Sequence, residues 1–376
     1  MRRSVEDPTL TTRTSRQSAF VRGSGNRQHI SRAVRKFVVT SLPAQDSVLP
    51  AVQPTPRRLS RKATGGDRVF EAGARAVGAT VLVVTGGIGA FLAWQSVPTL
   101  QRYGWSFFTE SAWQPEADVL GIKAVLVGTV SIAGVAMAFA FPLAVLTALY
   151  ISEYAPAGVK STLVSLVDLM AAVPSIIYGM WGYFLVMPHA AAFSLWLHQH
   201  LGWIPLFAVE ADPNAAVWDQ SRYIGSAFCA GIAVAMMVLP MSCAVMRQVF
   251  SQTPPGEKEA ALALGATRWG MIRSVVLPFG RGGIIGGTML GLGRALGETI
   301  AVLLIISPDF VVKPRILEVG TNSVSALIAG RFGDASAAQL SALLTAGFVL
   351  FCITLVVNTL AALIVARSRS GAGTDA

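Results

Sequence analysis

Charged side chains are scarce in this sequence. Asp, Glu, Lys and Arg make up 13% of the 376 residues, whereas soluble domains carry about 25%. Hydrophobic residues make up 53%, and the mean hydropathy is +0.57. This balance excludes an ordinary soluble domain and is typical of a membrane protein with several spans.

Cysteine and histidine are also scarce. Cys229, Cys243 and Cys352 all lie in apolar runs. The first two are too far apart on one predicted helix to be bridged, so we interpret all three as small core hydrophobes without a disulfide framework. His189, His198 and His200 fall in a predicted outer loop. Because no cysteine or carboxylate completes a ligand set with them, no metal site is expected.

Several catalytic motifs are missing. The sequence contains neither HExxH nor GxSxG, so nothing supports an intramembrane hydrolase. Glycine is never followed by lysine, which excludes the GxxxxGK[ST] phosphate-binding loop. The chain is therefore not expected to be an enzyme or to hold a cofactor. If ATP drives it, the ATPase must be another subunit.

Long apolar runs dominate what is present, and a spanning helix needs about 20 apolar residues. Five runs contain no Asp, Glu, Lys or Arg, and a sixth is interrupted only by Arg294 and Glu298. The sequence predicts an all-α membrane protein with six transmembrane helices. The runs are residues 76–94, 124–151, 169–188, 224–246, 282–306 and 335–366.

The net charge of +10 belongs to the first 68 residues, which hold 14 Lys or Arg and 4 Asp or Glu. This segment is predicted to be a basic, disordered tail that can touch anionic lipid headgroups. No nucleic-acid partner is expected. Basic residues also favour the loops 152–161 and 247–281 and both termini on the cytoplasmic side, which leaves 95–120, 189–222 and 307–334 outside.

The chain is accordingly divided into four parts. Residues 1–68 form the tail, and 69–120 form the first transmembrane helix with an extracytoplasmic loop. Residues 121–366 form the main membrane domain, and 367–376 form a cytoplasmic C-terminal tail.

A polar loop precedes the fifth apolar run. Residues 254–256, Pro-Pro-Gly, end the preceding helix, and residues 257–264 favour a short helix. Gly265 is suited to the C′ position of that helix. A second short helix is expected from Thr267 to Val276, ended by Pro278. Such a surface helix, with Ala260, Leu264 and Trp269 on one apolar face, suits a groove on a partner.

This loop resembles the EAA loop of ABC importer permeases. Glu259-Ala260-Ala261, then three residues, Gly265, nine residues and 275–278, VVLP, match the EAA, Gly and Ile-x-Leu-Pro pattern, with Val275 in place of Ile. The resemblance covers residues 120–366. It implies a type-1 permease fold in which Glu259, Ala260, Ala261, Gly265, Leu277 and Pro278 belong to a coupling loop that docks on an ATPase subunit.

The fifth run carries a glycine stripe and a charge pair. On a helical wheel, Gly283, Gly287 and Gly291 share one sector with Arg294 and Glu298. The small-xxx-small spacing predicts close helix packing. The i, i+4 spacing predicts an Arg294–Glu298 ion pair, which is either structural or lies on a path where an anion competes for Arg294. Asp168, just before Pro174, is a third candidate, either lining the path, bonded to Arg294, or simply solvated.

Residues 291–299, GLGRALGET, resemble the GRALGE segment of phosphate (Pst) ABC importer permeases. Other segments favour the PstC-type over the PstA-type subunit: 104–109 with Trp113 and Pro115, 152–156, 173–182, and the Ile300-Ala301-Val302 that follows Glu-Thr. This resemblance implies a phosphate path through Arg294 and Glu298. It also implies a heterodimer with a homologous permease, two ATPase subunits and an extracytoplasmic phosphate-binding protein.

Three other functions stay open. One is an ABC permease for another oxyanion such as sulfate or molybdate. The second is a membrane signalling or scaffold protein that regulates a phosphate sensor. The third is an ATP-independent channel. Arg294 itself suits several oxyanions, so phosphate rests on the resemblance alone.

Overall fold

The computed structural model describes residues 65–209 and 220–368. The predicted tail therefore lies outside the described residues, except that 65–68 belong to the first helix rather than to the tail. Of the C-terminal segment 367–376, residues 369–376 are outside them as well.

Six helical segments within the described residues are long and apolar enough to cross a membrane, which confirms the predicted number of spans. Spans one to six are Gly65–Tyr103, Lys123–Tyr154, Ser175–Leu201, Ala227–Ser251, Arg268–Gly297 and Ala337–Ala366.

Thirteen α-helices build the described part of the chain. They are α1 (Gly65–Tyr103), α2 (Ser106–Thr109), α3 (Lys123–Leu149), α4 (Ala157–Ala172), α5 (Ser175–Trp181), α6 (Met187–Leu201), α7 (Ala227–Ser251), α8 (Pro255–Ala263), α9 (Arg268–Met271), α10 (Leu277–Gly297), α11 (Ile300–Ile305), α12 (Val324–Arg331) and α13 (Ala337–Ser368).

Three π-helical turns lie within the described spans. They are Tyr150–Tyr154 at the end of span two, Gly182–Val186 in span three and Ile272–Val276 near the start of span five. Each π-turn inserts one residue more than an α-helical turn, and such insertions are frequent at functional sites.

Span three differs from the prediction. The expected run 169–188 begins inside α4, which ends at Ala172, and the spanning helix starts only at Ser175. Pro174 explains the break, because it has no N–H to donate to the preceding turn and its ring disfavours helix in Val173. Span three then continues to Leu201, so the three histidines lie on α6 rather than in the predicted outer loop.

The core lies along α3 and α7. Ala133, Ala136 and Ala140 on α3 pack with Ala230, Val234 and other small side chains on α7. Small residues let membrane helices approach closely. By contrast, α1 and α13 expose most of their apolar surface, which suits helices at the lipid boundary.

The side opposite α8 is closed by a short hairpin. Strand β1 (Trp113–Gln114) pairs antiparallel with β2 (Val119–Leu120), with Trp113 opposite Leu120. At its tip the Asp118 carboxylate accepts a hydrogen bond from the Tyr103 hydroxyl and pairs with Arg102 at 2.6 Å. These two donors hold the pKa of Asp118 below its usual range. The hairpin is thereby attached to the end of span one.

Candidate functional site

The predicted coupling loop contains a short helix on the surface of the molecule. Pro255 occupies the first turn of α8, where its missing N–H costs nothing. Glu259 and Ala260 are exposed on this helix. Ala261 is half-buried and packs against the cluster that holds Ala148, Met246 and Phe250. One side of α8 therefore rests on the protein and the other faces outward.

Gly265 ends α8 in the left-handed conformation, with φ +88°. Its N–H donates to the Leu262 carbonyl, and the Ala266 N–H donates to the Ala261 carbonyl at 3.1 Å. This is a Schellman-type end, as the sequence predicted. Thr267 then caps α9 by accepting a hydrogen bond from the Gly270 N–H at 3.1 Å.

Large apolar side chains stay exposed around this turn. Leu264 is 89% exposed, Trp269 57% and Leu262 44%. Exposed apolar clusters of this kind mark interaction surfaces. The outward side of α8 and α9 thus has the composition of a docking surface.

The inward side is attached to the end of span two by charged groups. Lys258 Nζ donates to Glu153 Oε1 at 2.7 Å, and the Lys258 and Glu153 side chains are 20% and 7% exposed. The Arg268 guanidinium lies 5.9 Å from the centre of the Tyr154 ring. Neither contact was visible in the sequence, because the partners are about a hundred residues apart.

Pro278 does not end the second short helix, so that prediction was wrong. The helix continues from Arg268 to Gly297 through the π-turn 272–276. The Leu277 N–H bonds to the Ile272 carbonyl, five residues back. The π-turn relaxes the hydrogen-bond ladder just where proline lacks a donor. Leu277 is half-buried, and Pro278 is exposed in the first turn of α10.

The glycine stripe of α10 lies directly against α7. A Cβ atom on Gly283 would come 2.5 Å from Val249 Cβ, and one on Gly287 would come 3.0 Å from the Ser242 carbonyl oxygen. Gly291 faces the Ser242 hydroxyl and Val238. Because real Cβ atoms do not approach that closely, only glycine permits this separation of the two helices.

Arg294 and Glu298 do not form the predicted ion pair. Helix α10 ends at Gly297, and Glu298 is extended, with φ −65° and ψ 131°. The i, i+4 geometry is therefore absent. Glu298, 8% exposed, instead accepts a hydrogen bond from the Ala301 N–H at 3.2 Å and caps α11. Among the described residues, no carboxylate lies within ion-pair distance of Arg294, whose buried Nε has no hydrogen-bond partner.

A second helix break, at Val173 and Pro174, lies near the break at Glu298. Helices α5 and α11, which follow the breaks at Pro174 and Glu298, pack together: a Cβ on Gly179 would come 2.8 Å from Ala301 Cα. The buried Tyr178 hydroxyl donates to the Met170 carbonyl at 2.8 Å and so bridges the break between α4 and α5.

Asp168 has another partner than the one considered from the sequence. It lies on α4 and accepts a hydrogen bond from Arg247 Nη2 on α7 at 3.2 Å. The Asp168 side chain is 53% exposed and that of Arg247 20%. The pair joins the ends of α4 and α7 on the α8 side, so Asp168 does not bond to Arg294.

Residues 140–370 match the family described as binding-protein-dependent transport system inner membrane component. This match covers more than half of the chain, including α8, the glycine stripe, Arg294 and Glu298.

The chain belongs to this family.

Two relatives match a longer part of the chain than residues 140–370. The chain is 36% identical over 317 residues to "Phosphate transport system permease protein PstC 2" of Mycobacterium tuberculosis, covering 83% of this chain and 95% of the relative. It is 36% identical over 324 residues to "Phosphate transport system permease protein PstC" of Xylella fastidiosa, covering 85% and 97%. This transport component is thus similar to permeases along nearly their whole length.

Solved structures of more distant proteins also match this transport component. The inward-facing MetNI methionine ABC transporter aligns at 17% identity with a TM-score of 0.47, covering 68% of this chain and 99% of that one. A bacterial ABC transporter for alginate import aligns at 18% identity, also with a TM-score of 0.47, covering 80% and 99%. The assignment to the family rests on the sequence matches rather than on these.

Proposed function

We propose that this transport component is a membrane-spanning permease subunit of an ATP-binding-cassette importer that moves inorganic phosphate into the cytoplasm. The observation that carries the proposal is the 36% identity to phosphate transport permeases over 83% of the chain. Six apolar spans with a surface helix between spans four and five are consistent with it.

The proposed assembly supplies what this chain lacks. A homologous permease completes the membrane path, and two ATPase subunits hydrolyse ATP. An extracytoplasmic binding protein delivers phosphate. The exposed Leu262, Leu264 and Trp269 suit docking of α8 and α9 into a groove of an ATPase subunit. Residues 257–267 then receive the displacement produced when the ATPase subunits close.

The proposed orientation follows the distribution of positive charge. The 14 Lys and Arg residues of the first 68 residues favour an N-terminus in the cytoplasm. With six spans, α8 and the C-terminus then also lie on the cytoplasmic side, and the hairpin of β1 and β2 faces outward.

Arg294 is the proposed anion-binding group on the path. Charged side chains within membrane-spanning helices are costly unless they are paired, so the unpaired Arg294 is a candidate for function. Its planar guanidinium can donate two parallel hydrogen bonds to a tetrahedral oxyanion. The structure adds that Glu298 does not occupy Arg294, so a passing anion need not displace a bound carboxylate.

Glu298 has a different proposed role. Its carboxylate holds the junction between α10 and α11 by capping α11 at the Ala301 N–H. It positions the chain that follows Arg294 and places a carboxyl group near the path. Phosphate passage is thereby proposed to depend on both residues: Arg294 binds the anion, and Glu298 holds the backbone that follows Arg294 in place.

The test is uptake of labelled phosphate by proteoliposomes that contain the complete transporter, with ATP and the binding protein. Arg294→Ala and Glu298→Ala should each abolish uptake while the complex still assembles. Arg75→Ala, which changes an exposed arginine on α1, is the matched control and should transport normally. Normal uptake by the Arg294 and Glu298 variants would contradict the roles proposed for them.

Competition decides the identity of the anion. Excess unlabelled phosphate should suppress uptake, and sulfate or molybdate should not. If sulfate or molybdate competes as well as phosphate, the chain is a permease for another oxyanion. Uptake that persists without any ATPase subunit would indicate a channel. Intact uptake with loss of phosphate sensing, after changes in 259–278, would indicate a signalling protein.

A further inference from the structure

Helix α8 lies between two π-turns that belong to different spans. Its C-terminal end leads through Gly265 into the π-turn 272–276 of span five. Near its N-terminal end, Lys258 reaches the π-turn 150–154 of span two. Covalent continuity thus links α8 to span five, whereas span two is reached through side chains alone.

The polar link to span two is a partly buried ion pair, beside the apolar packing of Ala261. The Glu153 side chain is 7% exposed, and its partner Lys258 lies 2.7 Å away. A carboxylate at that depth is unfavourable unless it is paired, and breaking such a pair is more damaging than removing an exposed one. On the neighbouring residue, Tyr154 receives Arg268 over its ring at 5.9 Å. Both contacts fix the loop 255–268 to the same turn.

Span two runs from the π-turn that contacts α8 to the opposite side of the molecule. Near the other end of α3, Thr129 Oγ1 accepts a hydrogen bond from the Val324 N–H at 3.0 Å. Gly128 lies against the Asn322 carbonyl, so closely that a Cβ could not be placed there. The first turn of α12 is therefore attached to the same helix that Glu153 attaches to α8.

We propose that the Glu153–Lys258 ion pair couples displacement of α8 to span two, in parallel with the covalent route into span five. Span two then moves α12 and its preceding segment through Thr129 while span five moves Arg294. Glu153 and Lys258 act as positioning residues, since neither touches the path. This inference rests on the proposed function, in which α8 is displaced by the ATPase subunits.

The experiment uses the complete transporter in proteoliposomes with its binding protein. Three variants are compared with the unmodified complex: Glu153→Gln, Lys258→Met and the double exchange E153K/K258E. Asp118→Asn is the matched control, because it removes a carboxylate from an exposed pair on the opposite side. Three quantities are measured: the yield of assembled complex, ATP hydrolysis, and phosphate transported per ATP hydrolysed.

Each single variant should keep its ATPase subunits and hydrolyse ATP, while phosphate transported per ATP falls about tenfold, which is within the range of coupling effects between sites. The double exchange should restore at least half of the lost coupling. The control should be unchanged. If either residue acted only through its own packing, exchanging the two charges would not restore the coupling. Restored coupling in the double exchange therefore supports the ion pair.

Normal coupling in both single variants would overturn the inference. So would loss of assembled complex in the single variants and in the exchange alike, because the pair would then only stabilise the fold. If the unmodified complex carries a different anion, the proposed substrate is wrong, and the same variants are compared with that anion. If no anion changes the rate of ATP hydrolysis by the unmodified complex, both the proposed function and the coupling role of the ion pair are contradicted.

Discussion

One helix break lies just before span three and another just after span five; each adjoins a short helix, and the two breaks have the same backbone shape. Val173 and Glu298 each end their helix with φ −65° and ψ 131°. Before span three the cause is Pro174, whose ring disfavours helix in the residue before it. After span five the cause is a side chain, since Glu298 caps the next helix.

The difference lies in what maintains each break. Pro174 favours its break through covalent geometry, because it lacks an N–H and its ring disfavours helix in the preceding residue. At the other break the Glu298 carboxylate accepts a hydrogen bond from the Ala301 N–H, and the Thr299 hydroxyl donates to the Gly297 carbonyl at 3.2 Å, so this break is sensitive to its side chains. It adjoins Arg294, the proposed anion-binding group, whereas the proline break adjoins the neutral Tyr178. The break that a single side-chain change can alter, at Glu298, is therefore the one next to the Arg294 guanidinium.

The largest expected effect comes from separating the two short helices that follow the breaks. In Gly179→Ala the new Cβ would lie 2.8 Å from Ala301 Cα, so α5 and α11 must move apart. Overpacking of this kind costs about 1–3 kcal/mol. We expect a lower Tm of the purified chain in detergent. Gly286→Ala is the control, because nothing lies within 4 Å of its Cβ position, and it should leave Tm unchanged or raise it. Equal Tm values for both variants would contradict the packing of α5 on α11.

A smaller effect is expected at the carboxylate break. Glu298→Ala removes the acceptor for the Ala301 N–H and should destabilise by about 0.5–2 kcal/mol, as loss of a helix cap does. Glu298→Gln keeps an oxygen acceptor and should retain most of the stability while losing the charge. Thermal unfolding of the three proteins measures this. If glutamine and alanine lower Tm equally, the charge rather than the cap maintains the junction.

The smallest effect is expected at the proline break. Tyr178→Phe removes the hydrogen bond to the Met170 carbonyl, which is worth about 0.5–1.5 kcal/mol. Since Pro174 remains, the break itself should persist. Spin labels at the exposed positions 166 and 184 would report an unchanged distance across it, in a background whose three cysteines are replaced. A lengthened or shortened distance would mean that Tyr178, and not proline alone, sets the angle.

Much of this architecture is readable from the sequence, because its causes are local. Six apolar runs are long enough to span a membrane, and six spans are found. Gly265 follows a helix-forming segment and adopts the positive φ that this position requires. The spacing of Gly283, Gly287 and Gly291 gives the face that packs on α7.

The remaining features depend on contacts between distant segments or on local competition. The i, i+4 spacing of Arg294 and Glu298 favours an ion pair on one helix. Glu298 instead accepts a hydrogen bond from the Ala301 N–H at the start of α11, and the ion pair does not form. Pro278 has the chemistry of a helix terminator, yet a π-turn accommodates it. The pairs Glu153–Lys258 and Asp168–Arg247 join residues 105 and 79 positions apart, so no local pattern announces them.

The packing of α1 has a consequence for how the chain is made. Its buried contacts are with the last span: Thr99 bonds to Ser341 at 2.7 Å, 242 residues later, and Gly89 lies against Phe351. At about 5–20 residues per second, the ribosome needs roughly 10–50 s to synthesise the intervening chain. During that time the first helix resides in the bilayer without the surface it will finally bury. Completion of the fold therefore waits for the last helix to emerge, and truncation before α13 should leave the surface of α1 around Gly89 and Thr99 without its partner.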